Sequence, residues 1–204
     1  MVKTAVLVCT LADAIPRMKA DYFGVDKGAL LLAQQKVMME ASIGDFDSVV
    51  QEDLLLIKRY SCRMIGLNPI KDDSDSEHAV KYVLDQGYER VILTGVLGGR
   101  ADHHYVNLQL LRKYPKVEII EKSNSLKSYP RGIYTFDKGY YDYISFFALE
   151  DSVISLKGMK YELKNQVLTG EDLFGLSNEI ESEQGILEIH QGRILCIQSS
   201  DSSH

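Results

Sequence analysis

Apolar residues in the first part of the chain fall in short runs, and most runs are followed by a segment in which they recur at helical spacing. Residues 4–9, Thr-Ala-Val-Leu-Val-Cys, are almost continuously apolar and read as a strand buried on both faces. After a polar segment to about residue 19, residues 22–26 read as a second buried strand, Gly28 as a tight turn and residues 29–35 as a helix. An apolar segment ending at Ile43 leads into Gly-Asp-Phe-Asp-Ser, residues 44–48. Ser48 with Gln51 has the spacing of a capping box for a helix to about residue 60. Residues 62–65 are a short strand, and Pro69 stops any helix there. Ser74 with Glu77 makes a second capping box, opening a helix whose apolar face holds Ala79, Val80, Val83 and Leu84 and which Gly87 ends. Residues 90–95 read as a strand, Gly98-Gly99 as a turn, residues 102–114 as a capped helix and residues 116–121 as a strand. Strands alternating with helices predict an α/β domain with a mainly parallel, Rossmann-like sheet covered on both faces.

From about residue 126 the texture changes. Residues 132–136, 143–149, 153–156, 161–163, 185–190 and 193–198 are short strand patterns with turn residues between them, and no segment there has a helical period. This second part is expected to be an all-β sandwich. The boundary falls near residues 123–130, giving an α/β domain at 1–125 and a β-sandwich domain at 126–204.

Composition narrows the classes of function. The chain has 204 residues, 45% hydrophobic and 25% charged, with a net charge of −6, which offers no electrostatic footing for nucleic acid or an anionic membrane. No apolar run has membrane-spanning length, and Met1-Val2-Lys3 leads straight into a strand rather than a signal sequence. Cys9, Cys62 and Cys196 are far apart within apolar stretches, the usage of reduced core thiols in a cytoplasmic protein.

In an open parallel sheet, ligands bind beyond the carboxyl ends of the strands. The distinctive polar residues occupy those turns: Asp26 with Gly28, Asp45 and Asp47, the stretch from Lys71 to Asp75, and the stretch from Gly98 to His103. Residues i and i+2 of an extended chain share a side, so the carboxylates of Asp45 and Asp47 can face one point roughly 6.5–7 Å apart. That suits Mg²⁺, which keeps several waters and takes only one or two protein oxygens. Each acid has a plainer reading: Asp26 starts a turn, Asp75 faces a helix dipole, Asp102 is an N-cap, and Asp72 and Asp73 are solvated. Together they are harder to dismiss, because such a cluster repels itself unless a cation compensates it. Lys71 and Arg100 flank these acids, and a guanidinium forks onto phosphate oxygens while a lysine acts as a point charge. With the Gly98-Gly99 turn at a helix start, the set describes a polyphosphate site. Of His103 and His104 at the helix start, either one touches a phosphate or both lie on the surface. Asn107, one turn after His103 on the same face, either points back into the site or is an ordinary surface residue.

The sequence has no G-x-x-x-x-G-K-[ST] loop, no G-x-G-x-x-G turn after a strand, no kinase signature and no grouping that suggests a covalent nucleophile. The motifs instead resemble those of the thiamine pyrophosphokinase family. Gly44-Asp-Phe-Asp-Ser48, Lys71-Asp-Asp-Ser-Asp-Ser-Glu77 and Gly98-Gly-Arg-Ala-Asp-His103 with Asn107 are similar to its three N-terminal motifs, and Val25-Asp-Lys-Gly-Ala29 is similar to an earlier one. Gly175-Leu-Ser-Asn-Glu179 and Gly192-Arg-Ile-Leu195 resemble its Ser-Asn-Glu loop and final strand. The chain departs in having Ser74 where the family usually has Thr, Lys27 where a second Gly is common, and no Trp to stack on thiamine.

The resemblance implies transfer of the pyrophosphoryl group of ATP to the hydroxyl of thiamine, giving thiamine diphosphate and AMP, with Mg²⁺ required. It implies Asp45, Asp47, Asp75 and Asp102 as catalytic acids, the first three as metal ligands. Asp26, Gly28, Ser48, Lys71, Gly99, Arg100, His103 and Asn107 are implied at ATP and its phosphates, and Ser177 and Asn178 at thiamine. It further implies a homodimer in which thiamine lies between the α/β domain of one subunit and the sandwich of the other. The alternatives are another Mg²⁺-dependent phosphoryl or nucleotidyl transfer from ATP or, within the resemblance, a non-catalytic sensor of thiamine or its diphosphate.

Overall fold

The apolar run nearest the N-terminus forms the middle of a parallel sheet, in a computed structural model that describes residues 2–46, 49–66 and 73–201. The first elements are β1 (Thr4–Val8), β2 (Asp21–Val25), α1 (Lys27–Gln34), β3 (Ala41–Gly44) and α2 (Gln51–Arg59). They are followed by β4 (Met64–Gly66), α3 (Asp75–Asp85), β5 (Arg90–Thr94), α4 (Ala101–Lys113) and β6 (Val117–Ile120). Parallel pairings set the order β4-β3-β2-β1-β5-β6. The chain has two compact units, Met1–Leu110 with Lys116–Lys122 and Leu111–Pro115 with Ser123–His204.

Alternation along β1 explains why helices cover both faces of this sheet. Val6 and Val8 pack with Ala29, Leu32 and Ala33 of α1 and Ile57 of α2. Leu7 faces the other way with its register partner Phe23, whose ring meets that of Tyr82 in α3 edge-on at 6.4 Å. The first crossover is an exception to the expected alternation, because residues 9–20 join β1 to β2 without a helix. From β1 the chain steps outward through β2, β3 and β4, then returns to place β5 and β6 on the other side. The strand order therefore reverses beside β1, the place where an open sheet leaves a crevice.

In the second unit, β7 (Asn124–Asp137), β8 (Tyr143–Ala148), β9 (Ser152–Lys157), β10 (Leu163–Leu168) and β11 (Gln184–Ser199) surround one apolar core. β11 pairs with β7 along most of its length, with β9 through its first half and with β8 through its second. The expected strands at 185–190 and 193–198 are thus one strand, bent at an irregularity where Gly192 has φ +82. A Cβ there would come 2.2 Å from Ser152 Oγ, so the bend admits only glycine. The strand expected at 161–163 lies instead at Leu163–Leu168, a mostly exposed edge whose polar sequence hid it.

Other local corrections have physical causes. Helix α2 is preceded by Val50 as its N-cap with no side-chain cap bond, and the expected cap residue Ser48 lies outside the described residues. Asp102 lies inside the first turn of α4 rather than capping it. Cys9 and Cys196 are buried, but Cys62 is exposed and is no core thiol. Ser74 caps α3 as its spacing predicts, its Oγ accepting the Glu77 N–H at 3.2 Å.

Candidate active site

A cleft of about 400 Å³ opens at the reversal of strand order. Its walls come from Cys9-Thr10-Leu11 after β1, Val25 and Asp26 at the end of β2, and Asp75 and Ser76 at the start of α3. The turn after β5 and the start of α4 complete it with Gly95, Val96, Gly98, Gly99, Arg100, His103 and Asn107. Of the residues expected at the site from sequence, Asp26, Asp75, Gly99, Arg100, His103 and Asn107 meet around this one space.

Asp26 occupies a backbone conformation that non-glycine residues avoid, with φ 51 and ψ −121. Such an outlier stores about 1–3 kcal/mol and persists where its surroundings over-determine it. Here the Asp26 N–H donates to Ile43 O at 2.9 Å and its carbonyl accepts the Ala29 N–H at 3.1 Å. Its side chain does not cap α1. A Cβ on Gly44 would come 2.5 Å from Asp26 Oδ1, so the glycine before Asp45 makes room for this carboxylate. Asp75 is half-buried at the first position of α3. The Cys9 thiol reports the local charge: burial first, then Asp26, Glu121 and Asp75, push it far above its ordinary range and keep it neutral.

The opposite wall is braced by a polar chain. Ser76 Oγ donates to Asn107 Oδ1 at 2.7 Å, and Asn107 Nδ2 donates to Val96 O at 2.9 Å. The buried Asn107 amide is therefore engaged within the protein, tying α3 to the turn after β5. His104 Nδ1 accepts the Gly98 N–H at 3.0 Å, which fixes the glycine turn from the next residue along α4.

Arg100 and Asp102 form a forked pair at the mouth, with Nε–Oδ1 at 3.1 Å and Nη2–Oδ2 at 2.6 Å. The guanidinium, with help from the His103 N–H, holds the Asp102 carboxyl down to about 2. A lowered carboxyl contributes stability above the ordinary carboxylate range and loses that contribution as the pH falls toward 2. Both side chains are largely exposed, so the contribution to folding is small. The titration itself is the readout: carboxyl NMR should place the Asp102 midpoint near 2. In Arg100→Ala it should move most of the way to the free value of about 3.9.

The other expected residues lie elsewhere. Asp45 is exposed just beyond β3 and does not line the cleft. Asp47, Ser48 and Lys71 lie outside the described residues. Gly28 does not line the cleft either; it is buried where a Cβ would meet Val8 O at 1.9 Å, so it serves the close seating of α1 on β1. Among the described residues, no three His, Cys, Asp or Glu side chains form a metal cage. Asp26 and Asp75 on an open cleft fit instead a hard cation that takes one or two protein oxygens and keeps its waters.

In the second unit, Asn178 is buried and its amide is committed to backbone. Oδ1 accepts the Tyr161 and Glu179 N–H groups at 3.0 and 2.9 Å, and Nδ2 donates to Tyr161 O at 2.9 Å. Ser177 has φ 56 and donates its N–H to Ser145 Oγ at 2.9 Å. Asn178 thus pins Tyr161, which stays exposed together with Phe174 and Leu176 around a small cavity of about 60 Å³. Sequence reasoning missed Thr10, Leu11, Ser76 and Glu121. The position of β1 at the strand reversal was the signal for the first two; the others depend on contacts between distant segments.

Comparison with known proteins is consistent along the whole chain. Residues 19–121 match the family described as "Thiamin pyrophosphokinase, catalytic domain", and residues 133–194 match "Thiamin pyrophosphokinase, vitamin B1 binding domain". Thiamine pyrophosphokinase of Bacillus subtilis (strain 168) is 30% identical over 187 residues, 88% of this chain and 87% of that protein. A crystal structure of a Bacillus subtilis thiamine pyrophosphokinase superposes with a TM-score of 0.87 at 28% identity, covering 98% of this chain and 100% of the other. A thiamin pyrophosphokinase family protein from Enterococcus faecalis superposes at 0.85 with 26% identity, covering 99% and 100%.

Proposed function

The chain belongs to the thiamine pyrophosphokinase family of enzymes, which make thiamine diphosphate from thiamine and ATP, and on that premise we propose that its cleft binds Mg²⁺-ATP and directs attack on the β-phosphorus. The observation that carries this reading is the meeting of Asp26, Asp75 and Arg100 around one cleft at the strand reversal. Two acids and a guanidinium on one open space match the two needs of a metal-bound triphosphate.

In the proposed reaction the thiamine hydroxyl oxygen bonds to the β-phosphorus and the bond from that phosphorus to the α,β-bridging oxygen breaks. AMP leaves with the bridging oxygen, and the hydroxyl proton passes to a carboxylate. Asp26 and Asp75 on the cleft, with Asp45 and Asp47 from the turn after β3, are the candidates for holding Mg²⁺, and Asp45, Asp47 and Asp75 those for taking that proton. Bound there, Mg²⁺ supplies charge neutralisation across the triphosphate. Arg100 forks onto phosphate oxygens, and Asp102 keeps its guanidinium oriented until they arrive. Lys71 adds a point charge, and His103 and Gly99 line the phosphate path. Asn107 acts through the brace that holds the turn after β5. Little covalent chemistry falls to the protein, so positioning and electrostatics supply most of the acceleration.

Thiamine is assigned to the second unit, with Ser177 and Asn178 as its loop. The exposed rings of Tyr161 and Phe174 offer faces to a cationic heterocycle in a chain that has no Trp. The proposal includes the cytoplasmic homodimer that the resemblance implies. No described helix is long and apolar enough to cross a membrane. Turnover of ATP and thiamine with Mg²⁺, and its loss and recovery on chelation and readdition, tests the reading. Tight thiamine binding without turnover would favour a sensor.

A further inference from the structure

We propose that Glu121 is a positioning residue for the nucleotide, because its carboxylate sets the place of the loop that forms one wall of the cleft. Glu121 directly follows β6, and its Oε1 accepts the N–H groups of Gly95, Val96 and Leu97 at 2.9, 2.9 and 3.3 Å. Its Oε2 accepts from Gly95 N–H at 3.0 Å and from Thr94 Oγ1 at 3.2 Å. Three successive amides converging on one point make the concavity in which backbones bind anions. In this chain the anion is a side chain of the protein itself.

Two consequences follow. An incoming phosphate finds those amides already engaged, so its contacts fall to residues further along, at Gly99, Arg100 and His103. The loop is also held from both sides: Glu121 takes its N–H groups while Asn107 Nδ2 donates to Val96 O. It is jammed against the turn after β1 as well, since Gly95 has φ +76 and a Cβ there would come 2.2 Å from Ala12 N. A shift of this loop therefore moves the wall that carries Gly98, Gly99 and Arg100. The inference rests on the reading of the cleft as the ATP site.

Glu121→Gln is nearly isosteric but replaces one acceptor oxygen with an N–H₂ group that confronts amide donors, so it displaces the loop without opening a cavity. Hydrogen exchange at residues 95–97 should lose at least tenfold protection in this variant. The KM for ATP should rise at least tenfold while the KM for thiamine stays within twofold. Glu121→Asp keeps the charge and should recover much of the ATP affinity; if the glutamine variant does not fold, the aspartate variant carries the same test with a smaller split. Equal rises in both KM values, or loss of protection with an unchanged KM for ATP, would overturn the assignment. Ser76→Trp, which fills the cleft, separates this outcome from failure of the underlying reading. It should abolish ATP binding, and ATP binding that survives it overturns the cleft as the nucleotide site and the role of Glu121 with it.

Discussion

Asp75→Asn is expected to lower turnover by about 10²–10³-fold, the range seen when one preorganised electrostatic contact to a transition state is lost. The substitution preserves shape and leaves Ser74 Oγ free to accept the Glu77 N–H, so the start of α3 stays capped. It removes the charge that faces the cleft. The stability change should be modest, because an acid in a first helical turn contributes only about 0.3–1 kcal/mol through the helix dipole. A melt within a few degrees of the parent, together with the loss of turnover, identifies a role in chemistry. Unchanged turnover would remove Asp75 from the metal and phosphate machinery.

Gly28→Ala should have the largest effect on folding. On helix propensity alone, alanine at this position in α1 would gain about 1 kcal/mol. The geometry overrides that gain: the added Cβ would sit 1.9 Å from Val8 O and 2.5 Å from Val8 C. The obstacle is the backbone of the central strand rather than a side chain that can rotate away. Overpacking a core typically costs about 1–3 kcal/mol, and a clash with backbone should lie at or above the top of that range. The variant is expected to be largely insoluble, or to unfold at a markedly lower urea concentration. A soluble variant with a parental urea midpoint would show that α1 is not seated as described.

The same glycine shows what sequence can and cannot convey. Its sequence reads as a turn before the helix, whereas it lies within α1 itself, and whether it approaches a phosphate or a strand depends on what lies beneath the helix, which no local pattern encodes. The order of elements in the first unit was legible because buried strands and capped helices have different periods, and the Ser74 cap is a local hydrogen bond. Ser48 has the same spacing to Gln51, yet the helix there begins beyond Val50. The exposed polar sequence of β10 carries no strand period, and the bend at Gly192 split one strand pattern into two. Asp26, Asp75 and Arg100 were legible as members of strand-end turns. Glu121 was not, because its partners are 24 to 27 residues away. Asn178 was read as a loop residue because its tie to Tyr161 spans 17 residues.

The central claim is that the cleft directs attack on the β-phosphorus of ATP. The most direct test incubates the protein with thiamine, Mg²⁺ and ATP labelled separately in its α- and γ-phosphates, and follows each label into products. The account predicts that the γ label appears in thiamine diphosphate and the α label in AMP, in equal amounts. An α label recovered in ADP, or a γ label recovered in free pyrophosphate, would contradict it.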